Sequence, residues 1–335
     1  MELVPQNLML VTLLVSLVLS FSFINGFHDA ANSIATIVST GVLKPAQAVL
    51  WAAFFNFIAI FFFQLLVAET VGRGIVDPAA IDHHVVFGAL VAAICWNLIT
   101  WYHGIPSSSS HALLGGILGA ALIKAGSAPL IWSGVFKTAA FILISPLLGF
   151  FLGSLLMLAM SWAAVGRSPA RVDGWFRRLQ LVSAAAYSIG HGGNDAQKAI
   201  GILWLLLITT GYAHSTDALP GWVSVSCYAA IALGTLFGGW RIVRTLGQGI
   251  TQLKPIGGFC AETGGALSLF LAAALGIPVS TTHTITGAIV GVGSAHRFSA
   301  VRWGLAGRIL WVWIATIPAC ALMSALAWWL SQRLF

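Results

Sequence analysis

Gly104-Ile105-Pro106-Ser107-Ser108-Ser109-Ser110-His111 and Gly276-Ile277-Pro278-Val279-Ser280-Thr281-Thr282-His283 are two polar clusters sunk in apolar sequence. Each interrupts a stretch, 86–123 and 256–293, long enough for two membrane passes at about 20 apolar residues per span. Backbone broken at that depth survives only where it lines a cavity or is buried in protein. Each stretch therefore reads as a re-entrant hairpin with a polar tip. Aligning 104–119 with 276–291 gives eight identities in sixteen positions, among them both prolines, Ser108/Ser280, His111/His283, Gly115/Gly287 and Gly119/Gly291. A second pair lies upstream: Asn25-Gly26-Phe27-His28-Asp29-Ala30-Ala31-Asn32 matches His191-Gly192-Gly193-Asn194-Asp195-Ala196-Gln197-Lys198, at an offset of 166 where the first pair has 172. Two motifs recurring in one order at nearly one offset divide the chain into repeats at 1–162 and 179–335, joined by a basic linker at 163–178.

The composition agrees with that placement in a bilayer. Of 335 residues, 59% are hydrophobic and 7% charged, against about 25% charged in soluble domains, which excludes a water-soluble monomer. The net charge of +7 reads as topology and not as nucleic-acid binding, because the basic residues form no stripe interleaved with aromatics. Cys95, Cys227, Cys260 and Cys320 stand singly in apolar sequence and read as small hydrophobes. The N-terminus carries Glu2 and no basic residue before Lys44, so it lacks the basic flank of a cleaved leader and the first apolar stretch is expected to stay in the membrane.

Simple spans are expected at 8–24, 46–67, 134–162, 179–211, 222–240 and 304–331. Lys44, the linker arginines and the loops around Arg241, Arg244, Lys254, Arg297, Arg302 and Arg308 put eleven basic residues on one side, against Arg73, Lys124 and Arg333 on the other. The first side is expected to be cytoplasmic, in a cell inner membrane. Each half then has three crossings plus a hairpin, and an odd number of crossings turns the second half over. The expected fold is an all-α polytopic membrane protein of two inverted-topology repeats.

The chemistry follows from what such a membrane should not contain. An ionised carboxylate at the bilayer centre costs about 2.5 to 3.5 kcal/mol on insertion scales, and Asp29, Asp195 and Glu262 all fall within apolar sequence. Capping of a helix broken beside Gly26 or Gly192 would explain one such acid, but not its recurrence in both halves. On a helix, Asn25, His28, Asp29 and Asn32 share one face, as do His191, Asn194, Asp195 and Lys198. Carboxylate and amide oxygens suit Na⁺, Mg²⁺, Ca²⁺ or a relayed proton. Lys198, standing where the first half has Asn32, can replace a bound cation or contact an anion. Pro106 and Pro278 suit the first turn of a helix, whose free N–H groups and hydroxyls would cradle an anion. His111 and His283 either titrate or bond a carbonyl, while Asn56 and Asn97 read as helix-packing amides. Three carboxylates and one lysine sum to −2, so a doubly charged anion cannot enter without cations.

At these residues the chain resembles the inorganic phosphate transporter (PiT) family. Its duplicated Gly-Ala-Asn-Asp-x-x-Asn-Ala signature is similar to Gly26–Asn32 and Gly192–Lys198, and its Pro-x-Ser-x-Thr-His element to Pro106–His111 and Pro278–His283. The resemblance implies symport of inorganic phosphate, with His28, Asp29, Asn32, Asn194, Asp195 and Glu262 coupling the cation. It implies that Ser107, Ser108, Ser109, Ser110, Gln197, Lys198, Ser280, Thr281 and Thr282 bind phosphate, with Asn25, His111, His191 and His283 in support. His28 and Lys198 depart from the family's asparagines. This favours the bacterial proton-coupled branch, with phosphate free or complexed to Mg²⁺ or another divalent cation, over Na⁺ coupling. A homodimer is an expected state and no further cofactor is implied. The competing readings are a transporter of another tetrahedral oxyanion such as sulfate, a channel, and an intramembrane metal-dependent phosphohydrolase, for which no nucleophile elbow or HExxH is present.

Overall fold

A computed structural model describes residues 8–214 and 217–334. Residues 1–7, with Glu2 and the start of the first repeat, lie outside the described residues, as do 215, 216 and 335. The first half comprises α1 (Leu8–Ser39), α2 (Pro45–Ile58), α3 (Leu66–Arg73), α4 (His83–Tyr102), α5 (Ser109–Ala125) and α6 (Trp132–Ala163). The second repeats the series as α7 (Pro169–Thr209), α8 (Gly221–Phe237), α9 (Trp240–Arg244), α10 (Pro255–Ala274), α11 (Thr281–His296) and α12 (Trp303–Ser331). Among the described residues five helices are long and apolar enough to cross a membrane, or seven if each of two bent pairs counts as one.

Those bent pairs correct two expected spans. The stretch 46–67 is not one helix: α2 unwinds after Ile58 and the chain turns 83° into α3. Likewise 222–240 ends at Gly238, with φ +65°, and turns 64° into α9, which continues as a π turn over Thr245–Gly249. The first break is hidden in Phe61-Phe62-Phe63-Gln64, where only Gln64 interrupts an apolar run. The linker is also mostly helix, since α7 begins at Pro169 and carries Arg171, Arg177 and Arg178 on its first turns. Arg177 pairs there with Asp173 at 2.7 Å.

Two apolar cores lie on either side of a polar middle. On α1, Leu14, Val18 and Phe21 belong to one core, and Ala31, Ile34 and Ile37 to the other. On α7 the order is reversed: Ala184 and Tyr187 lie in the second core, and Ala199, Leu203 and Leu206 in the first. The helices α1 and α7 therefore run in opposite directions, and their motifs fall between the cores. Both motifs are uninterrupted helix, so no helix break stands beside Gly26 or Gly192.

Each expected hairpin is present as α4–α5 and α10–α11. Gly104 (φ +67°) and Gly276 (φ +63°) turn the chain out of the first arm, a conformation that glycine adopts without a Cβ penalty. The second arm packs on the last helix of the opposite half, α5 on α12 and α11 on α6. Gly115 and Gly119 face the backbone of Ile317 and Ala321, while Gly287 and Gly291 face that of Pro146 and Phe150. A Cβ at any of the four would overlap main-chain atoms, as at other close helix crossings in membranes. The base of the first hairpin is closed by Lys124, which lies 2.8 Å from Asp82. Burial works against the charge on Asp82, but hydrogen bonds from Lys124 and the Val85 N–H outweigh it and hold the carboxyl below the usual carboxylate range.

Gly119→Val and Gly291→Val are each expected to destabilise the fold by about 1 to 3 kcal/mol through overpacking. The thermal melting of detergent-solubilised protein reads the loss. Gly307→Val is the control, because a Cβ there meets open space and should leave the melting unchanged.

Candidate functional site

The middle layer is assembled from α1, α7 and the two hairpin tips. Asp29 is 2% exposed and Asp195 1%. Ser109 donates to Asp29 Oδ2 at 3.2 Å, and Thr281 makes the matching bond to Asp195 Oδ2 at 3.2 Å. The second tip also reaches across: Thr282 donates to Asp29 Oδ1 at 3.4 Å, and Asn32 Nδ2 donates to Thr282 and Thr281 at 2.9 and 3.3 Å. Each carboxylate thus holds the tip of its own half, and the α1 motif holds both.

Lys198 breaks the symmetry. Its ammonium lies 2.5 Å from Asp195 Oδ1, bonds the Ser110 hydroxyl and donates to the Val279 carbonyl at 2.8 Å. Asn32, its counterpart, offers only a neutral amide. An ammonium buried against one carboxylate of a pair leaves the pair with one net negative charge.

The tips supply the donors. Ser108 and Ser280 are the N-caps of α5 and α11, their hydroxyls accepting from the N–H of His111 and His283 at 3.2 Å each. Pro106 and Pro278 therefore stand two residues before the cap and not in the first turn. The N–H groups of Ser109, Ser110, Thr281 and Thr282 have no intrahelical acceptor, and two helix N-termini are directed at the same centre.

The histidines divide into two kinds. His28 Nδ1 is 2.6 Å from Asp29 Oδ1, and its Nε2 is 3.1 Å from the Thr100 hydroxyl. His191 can be assigned from its network. Thr235 donates to the Ile231 carbonyl at 2.8 Å and so accepts from Asn56 Nδ2 at 3.0 Å. Asn56 Oδ1 is then the acceptor for His191 Nδ1 at 3.1 Å. In the neutral ring Nε2 consequently carries its lone pair, and it sits 3.3 Å from Asp195 Oδ2 without the alignment of a hydrogen bond. One ligand atom each from Asp29, His191 and Asp195 lies within 4.8 Å of the others. Two carboxylates and an imidazole nitrogen can hold a proton or a divalent cation. The amide oxygens of Asn25, Asn32 and Asn194 are buried acceptors without a donor.

Other expected site residues are placed elsewhere. Ser107 bonds Thr100 at 2.7 Å behind His28, and the capping hydroxyls of Ser108 and Ser280 are turned into their own helices. Gln197, expected to bind phosphate, caps α3 with its Oε1, which accepts from the N–H of Val67 and Ala68 at 3.0 and 3.3 Å, while its Nε2 is a buried donor without an acceptor. His111 and His283 pack edge to face at 4.3 Å, with His283 stacked on Trp313. Glu262 forms a separate cluster, accepting from Ser183 at 2.5 Å, Thr36 at 2.6 Å and Gln180 at 3.0 Å. With Glu262 apart, the formal charge at the centre, counting histidines as neutral, is −1 where the three carboxylates and lysine together gave −2. Thr36, Thr100, Gln180 and Ser183 were not singled out from the sequence. They have no polar counterpart in the other half, so the repeat gives no signal for them.

The description "Phosphate transporter family" matches residues 25–171 and again 163–324. The chain belongs to that family. One match falls on each half of the chain, and the two overlap at 163–171. A probable low-affinity inorganic phosphate transporter of Rhizobium meliloti is 61% identical over 94% of both chains. One of Bacillus subtilis is 44% identical over 98% of this chain and 99% of its own. A solved structure described as the sodium-dependent phosphate transporter superposes with a TM-score of 0.87 at 25% identity, covering 98% of this chain and all of that one.

Lys198→Met is expected to destabilise the protein by about 3 to 5 kcal/mol, because it strands a buried carboxylate. Adding Asp195→Asn should recover most of the loss. A double-mutant cycle on thermal melting checks this, and additive losses would show that the pair does not act as a unit.

Proposed function

We propose that this chain imports inorganic phosphate across the cell membrane as a symporter, that protons are its coupling cation, and that the two antiparallel halves alternate access to one central site. The observation that carries the reading is the imbalance at that centre: two carboxylates and the lone pair of His191 lie together with a single ammonium. Adding a doubly charged anion takes the site from −1 to −3 in a poor dielectric, and positive charge must arrive with it. Lys198 supplies permanently the charge that a bound Na⁺ would lend the second half, which favours protons on Asp29 and on the His191–Asp195 pair. Glu262, held by three neutral donors and no cation, is the third group suited to carrying one.

Phosphate fits this site better than sulfate. The free N–H groups, hydroxyls and Lys198 donate to any oxyanion. A monohydrogen or dihydrogen phosphate also donates its own proton, and the carboxylates accept it; fully ionised sulfate has nothing to give them. A second reading is supported by the Asp29–His191–Asp195 group: phosphate travelling with a divalent cation, for which these three atoms form a donor set. In both readings the basic side of the chain, with Lys44, Arg167 and Arg171, faces the cytoplasm.

Proteoliposomes test this directly. Phosphate uptake should follow a pH gradient, ignore a sodium gradient, and be inhibited by arsenate but not sulfate. Dependence on added Mg²⁺ selects the metal-accompanied form. Asp29→Asn and Asp195→Asn should each abolish coupled uptake while still inserting; wild-type rates in both would refute the site.

A further inference from the structure

Each half-helix that breaks a span is tied to the hairpin tip of the opposite half, and the two ties are symmetry mates. Thr70 on α3 donates to the carbonyl of Gly276 at 2.6 Å. Thr245, at the end of α9, donates to the carbonyl of Gly104 at 2.7 Å. Both glycines have positive φ, and both carbonyls sit immediately before the Ile-Pro that opens a substrate-binding tip. The residue one turn earlier packs against the same glycine, Leu66 at Gly276 and Arg241 at Gly104.

A cavity flanks each half-helix. One of about 560 Å³ is bounded by Ala68 and Gly72 of α3 with Gly201 and Trp204 of α7. The other, of about 310 Å³, is bounded by Trp240 and Arg244 with Ala35 and Val38 of α1. Gly201 and Trp204 are the repeat counterparts of Ala35 and Val38, and Asp29 and Asp195 line neither cavity. We infer that Thr70 and Thr245 are the two gate residues of the transport cycle: each ties one hairpin tip to the half-helix that walls one vestibule, and one bond must open to admit the substrate and the other to release it. This rests on the alternating-access reading above.

The ties are unequal. Arg241 also donates to the Tyr102 carbonyl and covers the faces of Tyr102 and Trp101 at 4.9 and 5.6 Å. Leu66 can do neither. The gate on the arginine-rich side is therefore the stronger, although both ties are made in this structure.

The test uses two counterpart reporter positions, Val38→Cys and Trp204→Cys, each labelled by a membrane-impermeant maleimide in sealed vesicles of known orientation without phosphate. Labelling of the native cysteines is subtracted. Thr245→Val is expected to raise labelling at position 38 by roughly two- to tenfold, the range that one hydrogen bond commands, without raising it at 204. Thr70→Val should do the reverse, and Ser at either position should restore the parent rates. Should Thr245→Val fail to insert, Arg241→Leu reads the same side. Unchanged rates in both variants, or a rise at both reporters in either one, overturns the assignment. Because labelling is read without phosphate, an error about the coupling ion or the substrate shows in uptake and leaves this result untouched.

Discussion

A carboxylate enclosed by hydrocarbon has to be answered by something positive, and the answer given to Asp29 and Asp195 organises this molecule. Hydroxyls from both tips, an amide from Asn32 and an ammonium from Lys198 are gathered around the two acids. Those partners come from α1, α7 and two hairpins of opposite halves. The electrostatic requirement therefore dictates the packing: the tips can reach the acids only if their arms dock on the neighbouring half, which in turn demands glycine at Gly115, Gly119, Gly287 and Gly291. Two helix N-termini with their hydroxyls sit against a carboxylate pair, so groups suited to an anion and groups suited to a cation adjoin.

Duplication explains the frame, and departures from it explain the chemistry. Lys198 opposite Asn32 sets an ammonium beside the carboxylate of one half where the other half has a neutral amide. Gln197 opposite Ala31 gives α3 a side-chain cap that α9 lacks. Gln180, Ser183 and Glu262 stand opposite Leu14, Leu17 and Leu90, so a polar cluster in one half faces an apolar core cluster in the other. A perfectly symmetric protein would present the same site from either side of the membrane. These substitutions make the two halves chemically unequal.

Much of this could be read from residue order. The repeated Gly-Ile-Pro clusters and the paired Asp motifs pointed to the repeated helix series, the hairpins and most of the polar residues that meet at the centre, because buried polar residues in apolar sequence have few explanations. The breaks at Phe62 and Gly238 were not legible, since a bend inside an apolar run leaves hydropathy unchanged. The roles of Ser108, Ser280 and Gln197 were also out of reach: a hydroxyl or amide beside a binding motif looks the same whether it faces a ligand or caps a helix, and only the third dimension separates the two. Asn56 read as helix glue, and it is that, but the same amide also decides which nitrogen of His191 is bare.

The exchange of hairpin arms between halves has a consequence for biogenesis. The arm α5, synthesised about a third of the way along the chain, finds its partner α12 only when the final 29-residue helix leaves the ribosome. Until then a serine-rich elbow waits within the bilayer or the insertion machinery with its backbone unsheltered. The nascent protein cannot mature half by half, and its last helix acts as the keystone that commits all the preceding segments together.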